Sequence, residues 1–223
     1  MLASINSMPC DPLLAFPWPT AGHRNFSTTF PSQKNRRSLR CGTRLQADFC
    51  VRLEQDAHVQ RYWAQPHVFK WTEGTKKFRY APHFLVENDE GGGCYCTVQA
   101  NFTSMTAQQG ETLLAFDALC REHGWRFDCV TANSVHGPSF VTLQKLYLRS
   151  LATNPDEFAA CLQLLPELRW PASLREVLNS NPAPPSLATL CRCLFLGYLR
   201  ADLNQALDLN LVIQGPTVGA GGG

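Results

Sequence analysis

Between residues 43 and 150 the spacing of apolar residues alternates between the period of a helix and that of a strand. A chain patterned in this way folds by layering helices on a sheet. Leu45, Phe49 and Leu53 recur at helical spacing behind Thr43, a capping residue, and predict a helix over 43–55. Residues 56–65 read as a turn. Residues 67–71 and 77–87 read as strands joined at Glu73-Gly74-Thr75, a hairpin signal, with Pro82 bending the second run or confining it to an edge. A second turn over 88–93 leads to a strand over 94–100. Leu113, Phe116 and Cys120 predict an amphipathic helix over 111–123, ended by Gly124. A strand over 126–131 and a helix over 141–150 complete an α/β domain, residues 31–151.

After Asn154-Pro155 the pattern becomes helical. Segments 156–168, 173–179 (capped by Ser173) and 186–196, with a closing strand over 209–213, predict a small winged-helix-like domain over 152–214. Modules of that class often touch DNA or protein. Residues 1–30 are rich in Pro, Ser and Thr and read as an irregular or disordered arm; the Gly-rich end, 215–223, reads as a flexible tail.

Hydrophobic residues make up 44% of the 223 and charged ones 17%, enough apolar material for a core. No apolar run approaches 18 residues, which argues against a membrane-spanning helix. The first twenty residues lack Lys and Arg, and Pro9, Pro12, Pro17 and Pro19 interrupt them, so no secretory signal is expected. The expected compartment is therefore the cytoplasm, with the ten cysteines reduced. Cys94 with Cys96, and Cys191 with Cys193, form C-x-C pairs, whereas structural zinc sites usually use C-x₂₋₄-C; they read as small buried hydrophobes, and no metal is expected. His58, His67, His123 and His136 are too scattered to form a ligand set. Tyr62, Trp63, Phe69 and Trp71 could stack on bases but read as core. No G-x-S-x-G or phosphate-binding loop is present.

The net charge of +2 conceals an uneven distribution. Residues 1–40 hold five basic side chains against Asp11 alone, concentrated in Lys34, Arg36, Arg37 and Arg40. Such a cluster can hold phosphates through charge and counterion release, or can be a solvated loop.

A series of short motifs then resembles one family. Phe30-Pro31-Ser32-Gln33-Lys34, Leu45-Gln46-Ala47-Asp48-Phe49, the stretch from Val59 to Gln65-Pro66, and Tyr80-Ala81-Pro82-His83-Phe84-Leu85-Val86 occur in the order seen in TnsA-like transposon endonucleases. Phe127-Asp128-Cys129-Val130-Thr131 looks like a later strand of that family, and the segment from Leu196-Gly197 to Asp202-Leu203 looks like part of its C-terminal domain. The resemblance spans about residues 30–214. It implies a restriction-endonuclease-like core in a bacterial, nucleoid-associated protein that works on DNA beside an integrase-type transposase, with a transposition ATPase as a further expected partner. In that family a Glu of the first helix, the Asp of a P-D-F motif and an E-x-K strand surround Mg²⁺. Carboxylates suit this hard ion, which activates water and neutralises charge growing on the phosphate.

This chain departs from the pattern at each of those positions. Gly42 stands for the helix Glu, His83 for the Asp, and Thr97-Val98-Gln99 for the E-x-K triplet, with Thr97 and Gln99 at the acid and lysine positions. Strand alternation puts Tyr95, Thr97 and Gln99 on one face and Cys94, Cys96 and Val98 on the other. Asp48 and Glu54 on the first helix, and Glu87, Asp89 and Glu90 beyond the hairpin, read as a solvated helix face and a charged turn. The leading expectation is a catalytically inactive subunit that binds transposon-end DNA or the partner transposase, with Lys34, Arg36, Arg37 and Arg40 as phosphate contacts and no cofactor. An active nuclease with a rearranged site, for which Mg²⁺ would be needed, and a protein–protein adaptor or regulator are the alternatives.

Overall fold

The computed structural model describes residues 28–103, 105–180 and 184–217. It is mixed α/β, with several small sheets and helices. The described residues form two compact units, one ending at Val135 and the other starting at His136. The expected arm lies outside them as far as residue 27, and the expected tail lies outside them from residue 218; residues 215 and 216 instead end a strand over Val212–Pro216, later than the expected 209–213. No described helix is long and apolar enough to cross a membrane.

The first unit opens with a hairpin, β1 (Thr28–Ser32) and β2 (Arg37–Cys41). Helix α1 (Arg44–Gln55) follows behind its expected cap: the Thr43 hydroxyl accepts from the Gln46 backbone N–H at 3.2 Å. Next come β3 (Val59–Ala64), β4 (Phe69–Glu73), β5 (Lys76–Tyr80), β6 (Phe84–Asn88) and β7 (Gly93–Gln99). Helix α2 (Ala107–Glu122) crosses over to β8 (Arg126–Thr131), which runs parallel to β7, and the short α3 (Ala132–Val135) ends the unit. The main sheet has the order β3-β6-β7-β8; β4 and β5 form a separate hairpin around Gly74, whose φ of +59° suits glycine.

Several expectations change here. Residues 59–64 are a strand rather than a turn. The run 77–87 is two strands separated at Pro82, because proline offers no N–H to a ladder. Part of the expected arm, from Thr28, belongs to β1. Helix α2 begins earlier than expected because Thr106 and Gln109 form a reciprocal capping box. It ends as expected: Gly124 has φ +70°, its N–H reaches Arg121 O, and the Trp125 N–H reaches Cys120 O at 2.8 Å, closing the helix.

Helix α1 and helix α2 cover opposite faces of the main sheet. On the α1 side, Phe84 meets Phe49 and Tyr62 edge-on at 5.4 and 6.4 Å. On the α2 side, Phe116 is fully buried among Phe69, Tyr80 and Phe127, with ring centroids 4.7–5.0 Å away. Tyr62, Phe69 and Trp71 are therefore core, as their positions suggest.

The second unit contains α4 (Phe140–Ser150), α5 (Pro155–Leu164), β9 (Ala172–Ser173), α6 (Leu174–Asn179), α7 (Leu187–Phe195), β10 (Leu199–Ala201) and β11 (Val212–Pro216). Its sheet has the antiparallel order β10-β11-β9. Asn154 caps α5, with Pro155 at the first helical position and Asp156 and Glu157 in the first turn. Pro166 ends the α-helix short of the expected Leu168, leaving a 3₁₀ turn at Leu165–Glu167. Helix α4 was expected to close the first domain at residue 151. It belongs instead to the second unit, where the Tyr147 ring lies 5.0 Å from Phe195.

Candidate functional site

The four positions that the resemblance marks, Gly42, His83, Thr97 and Gln99, all lie in the first unit. Gly42 precedes α1, and its N–H donates to Gln46 Oε1 at 2.8 Å. A Cβ at Gly42 would stand 3.3 Å from Gln46 Oε1 and 3.7 Å from Gln65 Nε2. Gln65 has φ +49°, a left-handed conformation that costs a non-glycine residue of order 1 kcal/mol and persists only where its surroundings fix it. Its N–H donates to His83 O at 2.7 Å. His83 Nδ1 in turn accepts from the Val98 N–H at 3.0 Å. Gly42, Gln65, His83 and the centre of β7 are thereby linked, although they lie far apart in sequence.

The chemistry of this set is neutral. Because Nδ1 of His83 accepts a backbone hydrogen bond, the ring proton sits on Nε2, and neither nitrogen offers a free lone pair to a metal. Burial lowers the His83 pKa and holds the ring uncharged. Thr97 is fully buried, its hydroxyl bonded to Tyr80 OH. Gln99 is half-buried and carries only an amide. Mg²⁺ requires carboxylate or similar oxygen ligands, and none of these four side chains supplies a carboxylate.

Two of the nearby acids lie elsewhere than expected. Asp48 and Glu54 are not on a solvated face: both are buried, at 5% and 3% exposure. Asp48 pairs with Arg44 at 2.9 Å. Glu54 accepts from Ser32 Oγ at 2.6 Å, Tyr62 OH at 2.7 Å and the Lys34 N–H at 3.2 Å. It holds the β1–β2 hairpin against α1 and β3, which satisfies a carboxylate that burial would otherwise penalise. Glu87 and Asp89, by contrast, make surface pairs with Arg61 at 2.8 Å and His58 at 3.1 Å.

The basic cluster divides. Lys34 is turned inward, and its ammonium donates to Asp56 O and to Val59 O at 2.5 Å. Burial lowers its pKa despite the neighbouring Glu54 and Asp56. Arg36 in the hairpin turn, and Arg37 and Arg40 on β2, are exposed. Strand alternation explains the division in β2, since Leu39 and Cys41 occupy the buried positions and Arg40 lies between them.

A second basic surface was not evident from the charge count. On the β4–β5 hairpin, Lys70 stands opposite Arg79 and Thr72 opposite Lys77, all exposed, while Phe69 and Trp71 face the core. The period-two alternation of 69–73 was the signal available in the sequence; assigning residues 77–87 to one strand obscured the partner positions.

A third group lies on the opposite face of β7. The sulfur and carboxylate donor atoms of Cys94, Cys96 and Asp128 all lie within 4.8 Å of one another. Neither protein-family models nor curated proteins provide a match for this chain.

Proposed function

We propose that the first unit is a restriction-endonuclease-like domain, similar to those of TnsA-like transposon endonucleases, that binds DNA without hydrolysing it. The observation that carries this reading is the contiguity of Gly42, Gln65, His83 and Val98 around a site with no carboxylate. The layout of α1 before a four-stranded sheet, with α2 crossing from β7 to a parallel β8, also supports it. The exposed Arg36, Arg37 and Arg40 supply phosphate contacts.

The second unit suits a winged-helix-like role in architecture: two helices, a short strand, two more helices and a hairpin, with the short strand pairing to the last strand. Its α7 is a poor reader of DNA. Thr189, Leu190, Cys191, Cys193, Leu194 and Phe195 are buried, and the guanidinium of Arg192, the helix's one charged residue, lies 4.8 Å over the Phe158 ring. A helix that enters a groove needs an exposed polar face. We therefore assign phosphate binding to the first unit and contact with a partner transposase to the second.

The test is fluorescence anisotropy with a short DNA duplex across a salt series. Replacing Arg36, Arg37 and Arg40 together by Ala should lower the slope of log K against log salt by about 2.7. An unchanged slope places the phosphate contacts elsewhere.

A further inference from the structure

The Cys94, Cys96 and Asp128 group has the geometry of an ion site unrelated to the nuclease positions. In a strand, residues i and i+2 share a face, so C-x-C is the spacing that sets two thiols side by side. The C-x₂₋₄-C spacing usual for structural zinc describes loops and turns and does not apply here. Strand β8 runs parallel to β7 with Asp128 in register with Cys96, which brings a carboxylate to the same face. Cys94 Sγ lies 3.9 Å from Cys96 Sγ and 3.3 Å from Asp128 Oδ2.

These separations can be compared with the edges of a tetrahedron. Zinc takes sulfur at about 2.3 Å and carboxylate oxygen at about 2.0–2.2 Å, which puts two sulfurs about 3.8 Å apart and sulfur and oxygen about 3.5 Å apart. The two measured separations lie within a few tenths of an ångström of those edges. Cys96 is buried, Cys94 half-buried and Asp128 exposed, so the group has a buried floor and an entry from solvent.

The described cysteines include two further close pairs, and they sharpen the choice. Cys41 and Cys50 lie 3.8 Å apart and Cys161 and Cys193 3.9 Å apart, but all four are buried and neither pair belongs to a three-ligand group among the described residues.

We propose that Cys94, Cys96 and Asp128 bind a single Zn²⁺ ion, or a comparably thiophilic divalent ion, through two thiolates and one carboxylate with a fourth position open. On binding, each thiol gives up its proton to solvent, and the two thiolates and the carboxylate each donate a lone pair to the ion. Two sulfur ligands select against Mg²⁺ and Ca²⁺. The site does not depend on the nuclease reading, since its residues point away from Thr97 and Gln99.

The experiment is a titration of the reduced full chain with Co²⁺, followed by displacement with Zn²⁺ against a chromophoric chelator. One equivalent should produce a thiolate-to-cobalt charge-transfer band with tetrahedral ligand-field bands, abolished by Zn²⁺. Cys94→Ser and Asp128→Ala should each weaken binding more than about 10-fold. Cys129→Ser, on the other face of β8, should leave it unchanged. Both diagnostic variants change residues that are not fully buried, and circular dichroism without metal establishes that they fold. Absence of the band overturns the proposal, as does a band that survives Cys94→Ser and so belongs to another thiol pair.

Discussion

The two faces of β7 carry different chemistry on one backbone. Toward α2 the strand presents Tyr95, Thr97 and Gln99, sealed by Phe116 and by the Tyr80 hydroxyl. On the other face it presents Cys94 and Cys96 beside Asp128 of β8. The first face is where the proposed resemblance would place an acid and a lysine, and it is neutral. The second has no place in that chemistry and holds the close ligand set. Because side chains alternate along a strand, its two faces can carry different chemistry without any change of fold.

The largest expected effect breaks the neutral face. Phe116 is fully buried and touches rings from β4, β5, β7 and β8. Phe116→Ala should cost about 3–5 kcal/mol in chemical denaturation. A loss below about 1 kcal/mol would mean that α2 does not seal this face.

A smaller effect concerns protonation at the junction of β6 and β7. Burial depresses the His83 pKa below its ordinary value. A group whose folded pKa is depressed contributes stability that is fully present above the unfolded value, about 6.5, and is lost as pH falls through the folded pKa. His83→Asn keeps an acceptor for the Val98 N–H but cannot titrate. Its stability curve should therefore fall less steeply than the parent's below about pH 6.5. Burial lowers the His67 pKa as well, and that contribution is common to both proteins, so the difference between the curves isolates His83. Parallel curves would contradict the buried, neutral state of His83.

Much of the fold was legible in the sequence because its signals are local. Thr43, Gly74, Gly124, Asn154-Pro155 and Ser173 each act within a few residues, and each does what its chemistry suggests. The β1–β2 hairpin and β3 were missed because their buried positions are few. In β2 only Leu39 and Cys41 face inward, amid a run of charge that looks like a loop. In β3 only Val59 and Tyr62 are buried. The buried carboxylates were missed for a different reason: nothing near Glu54 in sequence reveals that Ser32, Lys34 and Tyr62 will surround it. The positions that the resemblance marks could be named from motif order, but the linkage of Gly42 and β7 through Gln65 and His83 depends on pairing across the fold. The thiol–carboxylate group likewise depends on the register of β7 against β8, which no single segment encodes.

The most direct test of the central claim incubates the purified chain with supercoiled plasmid and Mg²⁺ or Mn²⁺, with and without the proposed partner transposase. DNA should be retarded at low salt while the chain itself leaves it supercoiled, because no carboxylate stands at the Gly42, His83, Thr97 and Gln99 positions. Metal-dependent nicking that disappears on replacing Glu87 or Asp89 by Ala would contradict the account and place an active site among the surface acids.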